Sequence, residues 1–280
     1  GRRMRSVLNL LRKHAPELEV VGLIDLNREK ALEPLTEGER EKVRFFETVD
    51  ELGKGVSPDA LAIGTRCDTH TDYAIAAAKY PLPLFLEKPV SNSMEQALRL
   101  EAAYENANTP VVVGFPLRVS TLCERAGQLL KAGAVGRIEH VLATNYVSYG
   151  NVYFDTWHRD YSVTQGLFLQ KATHDFDYLA HLIGAPVIRV AAMHSLGRVY
   201  RDKKTLTQKP DPHSYYLEEI GTPETGMNED SSSALLEFAN GVKGVYTQVF
   251  YSKRAPRRGA AFSGHGGMLE FDWYQNKVTT

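Results

Sequence analysis

Strand and helix patterns alternate along the first 113 residues, and this alternation constrains the fold more than any other feature of the chain. Residues 4–11 carry apolar side chains at helical spacing. Residues 18–24 form an apolar run that ends in Asp25, typical of a strand buried on both faces of a parallel sheet. Further helices are predicted over residues 28–35 and 69–79 and from Thr48 and Ser93, and strands over 43–46, 60–63, 84–86 and 110–113. The βα alternation predicts an α/β domain with a doubly wound parallel sheet.

The pattern changes after about Arg118, so we predict a first domain over residues 1–118 and a second over 119–280. A helix is expected to reach Lys131, a long strand to cover 137–149, and a helix to cover 173–183. Two strand patterns flank Asn240-Gly241, a strong hairpin signal. The second half is therefore predicted to be an α+β domain with an open, largely antiparallel sheet, and the polar segment 201–228 to be a long excursion outside it.

The balance of charge excludes several classes of partner. The chain has 280 residues with 33 Lys+Arg and 34 Asp+Glu, a formal net charge of −1. Nucleic acids and anionic membranes both attract a concentrated positive field, so neither is an expected partner. No apolar run is long enough to span a bilayer. Cys67 and Cys123 lie far apart, which predicts two small buried side chains rather than a disulfide or a structural zinc.

The two ends of the sequence lack the usual signals. The chain opens on Gly1 with no methionine and ends at Thr280 inside a strand pattern, so we expect native residues beyond both ends and a first strand before the first helix. An export signal is therefore unobservable, and the expected location is cytoplasmic.

The first helix and the strand after it suit a dinucleotide site. In such a βαβ unit a glycine-rich turn leads into a helix that faces the pyrophosphate, and an acidic residue about 20 positions on binds the ribose. Gly1 and Arg2 stand at the start of the first helix, and Asp25 follows 24 positions after Gly1. Asp25 favours NAD, whereas Arg28 could accept the 2′-phosphate of NADP.

The sequence Glu87-Lys88-Pro89 ends a predicted strand at the edge where open α/β sheets bind ligands. A solvated ion pair is the alternative interpretation. At this point the chain resembles the Gfo/Idh/MocA oxidoreductase family, in which Glu-Lys-Pro follows this strand of a Rossmann domain. The resemblance extends over nearly the whole chain through three further segments: Ala-Ile-Gly-Thr at 62–65 before Thr69-His70, Val-Gly-Phe-Pro-Leu-Arg at 113–118, and Gly-Ala-Val-Gly-Arg-Ile at 133–138.

The resemblance implies an N-terminal NAD(P)-binding Rossmann domain and hydride transfer on a sugar, polyol or related hydroxyl compound. Lys88 is then a catalytic residue that also contacts the cofactor, and Thr65, His70 and Glu87 belong to the cofactor site. The open sheet of the second domain is expected to pair with another subunit, which makes a homo-oligomer, a dimer or tetramer, the expected state.

A third cluster opens the helix over 173–183. His174, Asp177, Tyr178 and His181 are predicted to share one face, away from the packed apolar face. A helix cap or a surface group is the plain interpretation of His174. The resemblance makes His174 the catalytic histidine and Asp177 a substrate contact. A metal site on this face is the other interpretation, but no further ligand motif supports it, and none is predicted.

The sequence departs from the family at the residue four before the histidine, where many members have Asp and this chain has Gln170. Because an amide takes up no proton, the base role is expected to fall on His174. Lys171 is either a second cation of the site or a surface lysine. Trp157 suits stacking on a sugar or nicotinamide, and Arg159 suits a hydroxyl or carboxylate, with burial of Trp157 as the alternative. Tyr146, Tyr149 and Tyr153 are either cleft residues or packing residues.

These residues predict that His174 removes a hydroxyl proton while Lys88 stabilises the developing alkoxide. Two other functions use the same residues. A tightly held NAD could oxidise a ring hydroxyl transiently and so permit elimination, as in a redox-assisted glycosidase or lyase. A ligand-sensing regulator could keep the nucleotide fold without turnover, although the presence of both Lys88 and His174 argues against it.

Overall fold

The computed structural model describes residues 2–107, 109–200 and 228–280, and these form two compact units. The first covers Gly1–Gly114 and the second Phe115–Thr280. The excursion predicted over 201–228 lies outside the described residues except for Asn228. In the part of the chain that is described, no helix is both long enough and apolar enough to cross a membrane.

The first unit alternates strands and helices in the predicted order. Its strands are β1 (Gly22–Leu23), β2 (Arg44–Phe45), β3 (Leu61–Ile63), β4 (Leu84–Leu86) and β5 (Val111–Val113). Its helices are α1 (Arg2–Leu11), α2 (Arg28–Leu32), α3 (Glu37–Lys42), α4 (Val49–Gly55), α5 (His70–Ala77) and α6 (Met94–Tyr104), with a 3₁₀ turn over Cys67–Thr69.

All strand pairs of this unit are parallel, which confirms the predicted Rossmann-type α/β domain. One sheet has the order β3-β4-β5, with Leu61 opposite Leu84 and Leu84 opposite Val111. A second sheet pairs β1 with β2, and within the described residues no ladder joins the two sheets. The core packs against β4, whose Leu84 and Leu86 are both buried.

Three local predictions for this unit need correction. The strand expected over residues 18–24 is only two residues long and half-buried, because it pairs with β2 alone. Helix α3 was not predicted; a capping box between Thr36 and Glu39 starts it. The run Ser-Met-Glu-Gln at 93–96 predicts a capping box at the start of α6. Ser93 Oγ accepts from Gln96 N–H as expected, but Gln96 Oε1 accepts from Asn92 N–H instead of Ser93 N–H.

The second unit contains one large sheet and two helices packed on it. Its strands are β6 (Ile138–Tyr146), β7 (Val187–Leu196), β8 (Glu229–Phe238), β9 (Lys243–Val249), β10 (Arg257–Gly264), β11 (Gly267–Asp272) and β12 (Lys277–Thr279). Its helices are α7 (Thr121–Lys131), α8 (Val152–Asp155), α9 (Tyr161–Thr164), α10 (Leu167–Gln170) and α11 (Thr173–Ile183), with a 3₁₀ turn over Trp157–Arg159.

The seven strands have the order β12-β11-β10-β6-β9-β8-β7. Every pair is antiparallel except β6 with β9, which confirms the open, largely antiparallel sheet. Helices α7 and α11 cover one face, where Val141, Leu236 and Phe262 are buried. On the opposite face Leu142 and Leu235 are exposed. The sheet therefore buries one face on its own helices and leaves the other uncovered within the described residues.

Helix α11 begins and ends where the sequence predicts, with Gly184 in the left-handed conformation at its C-terminus. The prediction that Tyr178 shares the outer face with His174 was wrong. Asp175, Tyr178 and Leu179 are fully buried, because the stripe at i, i+3 and i+4 from Asp175 faces the sheet. His174 and Asp177 lie at the border of this stripe and are half-buried.

The strand predicted over 137–149 stops earlier, and this places Tyr149 in a turn. Pairing with β10 ends at Tyr146, opposite Arg257. The chain then crosses the end of β9 at Gly150, where a Cβ atom would lie 2.9 Å from Phe250 Cα and closer still to its carbonyl group. Glycine is therefore required at this crossing, and the turn that precedes it carries Tyr149.

Candidate functional site

The carboxyl ends of β3, β4 and β5 lie side by side because the three strands are parallel and in register. Ile63 is opposite Leu86, and Leu86 is opposite Val113. The next residues along each strand therefore meet at one edge of the sheet: Gly64-Thr65, Glu87-Lys88 and Gly114. This is the edge at which open α/β sheets bind ligands.

Glu87 is a buried carboxylate at this edge. It is 5% exposed and accepts a hydrogen bond from Arg3 Nε at 2.8 Å. A Cβ atom at Gly114 would approach its carboxyl carbon to 3.0 Å, so the missing side chain at Gly114 makes room for Glu87. Lys88 follows and is half-buried. Glu87 is thus not solvated, which argues against the solvated ion pair of the alternative interpretation.

The buried side chain of His70 connects two turns at this edge. Its ring is 2% exposed, with Nδ1 2.7 Å from the Pro89 carbonyl oxygen and Nε2 3.2 Å from the Thr65 carbonyl oxygen. Because both ring nitrogens face backbone carbonyls, His70 ties the turn after Lys88 to the turn after β3. His70 therefore has a structural role at the edge where the sequence predicts the cofactor site.

The other predicted cofactor residues lie on the surface of the unit. Thr65 is exposed, and its hydroxyl accepts a hydrogen bond from the Thr69 hydroxyl at 2.8 Å. Asp25 is exposed after β1 and accepts from Asn27 N–H at 2.9 Å. The Arg28 guanidinium lies 5.2 Å from the centre of the Phe45 ring. Gly1 lies outside the described residues, and of Arg2 only the backbone, which begins α1, is described.

These positions fit a dinucleotide. The pair between Arg3 and Glu87 places the first turn of α1 at the carboxyl end of β4. Gly64 leaves no space for a Cβ atom, because Met4 packs against it and brings α1 close to the end of β3. A helix N-terminus at the strand ends suits a pyrophosphate, and a surface carboxylate at Asp25 suits a ribose diol.

In the second unit, His174 stands in the first turn of α11. It is half-buried, and its ring makes an edge contact with Phe115 at 5.8 Å between centroids. The next residue, Asp175, is fully buried under the sheet. Asp175 therefore anchors the start of α11 in the core, while His174 lies at the border of the core.

Asp175 is the centre of a buried polar network that sequence reasoning missed. It accepts hydrogen bonds from Arg258 Nε and Nη2 at 2.9 and 3.1 Å, and from Asn145 Nδ2 and Tyr246 Oη at 3.0 Å each. Burial lowers the pKa of Arg258, but the Asp175 carboxylate outweighs burial and holds that pKa above its usual range. Four donors on one carboxylate make a satisfied buried ion pair.

Asp177 is held by an arginine. Arg118 Nε donates to Asp177 Oδ2 at 2.8 Å, and Arg118 Nη2 contacts Oδ1. The Asp177 side chain is 8% exposed, against 42% for Arg118. Both carboxylate oxygens contact the guanidinium, and the substrate contact of Asp177 stays a prediction. The same ion pair removes Asp177 from the metal interpretation, and within the described residues no group of three metal-ligating side chains is found.

Lys171 is buried, so the surface interpretation was wrong. It is 7% exposed, and its Nζ donates to Tyr149 Oη at 2.8 Å. The ammonium also lies 5.1 Å from the centre of the Tyr149 ring and 5.6 Å from that of Tyr153. Burial raises the pKa of Tyr149, but the charge and the hydrogen bond of Lys171 outweigh burial and hold that pKa below its usual value of 10.0.

Aromatic rings connect Lys171 to the other predicted substrate residues. The His158 ring stacks on Trp157 at 3.8 Å and meets the Tyr153 ring edge-on at 5.2 Å. Trp157 is half-buried, intermediate between the two interpretations considered for it. Arg159, also half-buried, lowers the pKa of Asp155 against the larger raising effect of burial. Gln170 is buried at the end of α10. The structure thus assembles Trp157, Lys171 and the tyrosines 149 and 153.

The comparisons agree on the family. Residues 1–115 match the model of the oxidoreductase family with an NAD-binding Rossmann fold, and residues 123–270 match the GFO/IDH/MocA C-terminal domain. The chain belongs to the GFO/IDH/MocA family, and the predicted Rossmann domain with NAD as its cofactor is confirmed.

Two relatives indicate the range of this family. The putative oxidoreductase YteT of Bacillus subtilis is 26% identical over 180 residues, covering 62% of this chain and 42% of that protein. The myo-inositol 2-dehydrogenase of Thermotoga maritima is 26% identical over 149 residues, covering 53% of this chain and 43% of that protein. The chain therefore matches less than half the length of either relative.

Solved structures share the fold. The WlbA dehydrogenase of Chromobacterium violaceum, solved with NADH and UDP-GlcNAcA, has a TM-score of 0.78 at 18% identity and covers all of this chain and 74% of that one. A levoglucosan dehydrogenase complex with NADH and levoglucosan has a TM-score of 0.70 at 21% identity, covering 92% of this chain and 65% of that one.

Proposed function

We propose that this protein is an NAD-dependent dehydrogenase that transfers hydride between a hydroxyl group of a sugar, a polyol or a related compound and nicotinamide. The match of both halves of the chain to GFO/IDH/MocA domain models carries the proposal. The relatives support the substrate class, since they include a myo-inositol 2-dehydrogenase and a scyllo-inositol 2-dehydrogenase.

The chain's own residues would handle the oxygen and its proton, while bound NAD supplies the hydride acceptor. Lys88, at the end of β4, would donate a hydrogen bond to the substrate oxygen and stabilise negative charge as it develops there. His174, in the first turn of α11, would accept the hydroxyl proton. A histidine suits this step because its ordinary pKa lies near neutral pH.

The remaining predicted residues divide between cofactor and substrate. Asp25 would hold the ribose hydroxyls of NAD, and its negative charge disfavours the 2′-phosphate of NADP. The Arg28 guanidinium, which lies 5.2 Å from the centre of the Phe45 ring, is the group that would contact the 2′-phosphate if NADP bound. Trp157, Arg159 and Lys171 would contact the substrate, with the Trp157 indole as a stacking surface for a sugar ring.

We also propose that the protein forms a homo-oligomer through the uncovered face of its large sheet. Leu142 and Leu235 are exposed on either side of Val245, in one row across β6, β9 and β8. A contiguous apolar surface of this kind is typical of an interface. Light scattering of wild type and Leu235→Glu tests the proposal. The molar mass of wild type in solution should exceed that of a monomer, and the molar mass of the variant should be lower because its oligomer dissociates. A monomeric wild type would contradict it.

The proposed activity is tested by mass spectrometry of the purified protein for bound nucleotide, followed by absorbance at the NADH band with a panel of sugars and polyols. NADH formation with at least one compound is the expected result. Cleavage of a substrate bond without net NADH would identify the redox-assisted lyase or glycosidase instead. Tight NAD binding with no reaction across the panel would identify the regulator.

A further inference from the structure

Tyr149 combines an exposed ring with a buried cationic partner. Its ring is 47% exposed, whereas the Lys171 side chain that donates to its hydroxyl oxygen is buried. We propose that Lys171 holds Tyr149 as a phenolate, which accepts a hydrogen bond from a substrate hydroxyl adjacent to the one that is oxidised. This inference rests on the proposed function and names the substrate class: a vicinal diol.

The geometry favours the ionised tyrosine. The Lys171 ammonium carries only donors, so the 2.8 Å hydrogen bond makes the phenol oxygen the acceptor. A hydrogen bond donated to the charged form of an acid stabilises that form. The ammonium also lies 5.6 Å from the centre of the Tyr153 ring, a second contact beside the hydrogen bond to Tyr149. In the described part of the chain no carboxylate forms a salt bridge with Lys171, so the phenolate is the anionic partner that the geometry offers.

Other charged groups surround the pair on every side. Arg258 of β10 adds to the lowering of the Tyr149 pKa, and Asp175 of α11 opposes it. Tyr153 of α8 shares the ammonium, but burial is the largest influence on it and raises its pKa. Tyr149 is therefore the tyrosine of this cluster that is favoured to ionise, and its exposed ring places it within reach of a ligand.

The position also suits the departure at Gln170. Gln170 is an amide and takes up no proton, so this helix end offers no acidic group at that position. The neighbouring Lys171 donates its hydrogen bond to Tyr149. No proton is transferred and no electrons change hands at Tyr149, because the substrate hydroxyl keeps its proton and donates a hydrogen bond to the phenolate. A hydrogen bond to the phenolate would select a substrate with a second hydroxyl, since an analogue without it leaves Tyr149 without a partner.

The first test is an absorbance titration of tyrosine ionisation in Tyr149→Phe, Lys171→Met and wild type. Tyr274→Phe is the matched control, because Tyr274 is similarly exposed at 43%. Wild type and Tyr274→Phe should show one tyrosine that ionises below the others, and Tyr149→Phe should lose it. Lys171→Met should move it to higher pH. Superimposable titrations of wild type and Tyr149→Phe would overturn the proposal.

The second test uses the panel compound that gives the fastest NADH formation, together with its analogue in which the neighbouring hydroxyl is replaced by hydrogen. Tyr149→Phe should lower kcat/KM for the diol by about 10- to 100-fold, as expected for a hydrogen bond to a charged group, and should change the analogue little. It should also remove the rise of kcat/KM with pH that Tyr149 ionisation causes. Lys171→Met should shift that rise to higher pH, and Tyr274→Phe should match wild type.

The two tests separate the two proposals. No NADH with any compound contradicts the proposed function, and the titration still decides whether Lys171 ionises Tyr149. Wild-type turnover with an unchanged Tyr149→Phe profile overturns the diol assignment alone. Circular dichroism at the assay temperature shows whether Tyr149→Phe is folded, because the variant leaves the buried Lys171 ammonium without its acceptor and should melt below wild type.

Discussion

The two units place their candidate functional residues in opposite ways. In the first unit Asp25, Thr65 and Arg28 are exposed around strand ends. In the second unit His174 and Lys171 depend on charges buried in the core, above all the ion pair between Asp175 and Arg258. At the strand ends of the first unit these three side chains stay at the surface, although Glu87 is buried there against Arg3, whereas the start of α11 needs a buried anchor. Substitutions should therefore affect binding in the first unit and folding in the second.

The largest effect is expected at the buried anchor. Arg258→Leu leaves the Asp175 carboxylate buried without its cation, which should lower the free energy of unfolding by about 3–5 kcal/mol. Arg137→Leu removes a pair with Glu139 that is exposed on both sides and should cost at most about 1 kcal/mol. Urea denaturation of both variants measures the difference. Equal costs would show that burial of the ion pair does not set the stability of this unit.

The contrasting change in the first unit is Asp25→Ala. It removes an exposed carboxylate that we assign to the ribose, so NAD affinity should fall about 10- to 100-fold. The free energy of unfolding should stay within about 0.5 kcal/mol of wild type, as for other surface substitutions. Calorimetric titration with NAD and urea denaturation provide the two values. A loss of stability with unchanged NAD affinity would remove Asp25 from the cofactor site.

A smaller effect is expected at Asp177, which the structure pairs with Arg118. Asp177→Asn weakens the ion pair with Arg118, and because Arg118 is 42% exposed the cost should be only about 1 kcal/mol of unfolding free energy. KM for the best panel substrate should remain near the wild-type value. A large rise in KM with normal stability would support the substrate contact that the sequence predicted.

A pH-dependent effect is expected at Cys123, which is buried as the sequence predicts. Burial raises the pKa of Cys123 from 9.0 to about 11. The folded state therefore holds this proton more tightly than the unfolded state, so stability declines as pH rises from about 9 to about 11. Cys123→Ala should show a shallower decline of unfolding free energy over that pH range. Parallel declines would mean that Cys123 titrates alike in both states.

Much of the fold follows from local patterns in the sequence. The βα alternation, the hairpin at Asn240-Gly241 and the bounds of α11 all depend on spacing and on turn residues. Lys88 was predictable for the same reason, since a strand end and a following proline fix its position locally. The short helices between β6 and α11 were not predicted, because their turns carry no long periodic stripe.

The polar network could not be predicted because its members are far apart in sequence. Asp175 meets Asn145, Tyr246 and Arg258 at separations of 30, 71 and 83 residues. A helical wheel places Tyr178 beside His174, and only the packed sheet shows that Tyr178 faces inward. The same limit applies to Lys171, whose burial depends on a tyrosine 22 residues away. The one signal in the sequence was Asp175 itself, an acidic residue within the apolar stripe of α11, which indicates a buried polar partner.

The most direct test of the proposed function measures turnover and NAD binding together in Lys88→Ala and His174→Ala. Lys88 stands in the first unit and His174 in the second, so the pair tests whether both units serve one reaction. Each substitution should lower kcat by about 10²- to 10⁴-fold, as for loss of an alkoxide-stabilising donor or a general base. The dissociation constant for NAD should change by less than about 10-fold, within about 1.4 kcal/mol. Unchanged turnover in either variant, or a loss of turnover that only follows a loss of NAD binding, would contradict the proposed roles.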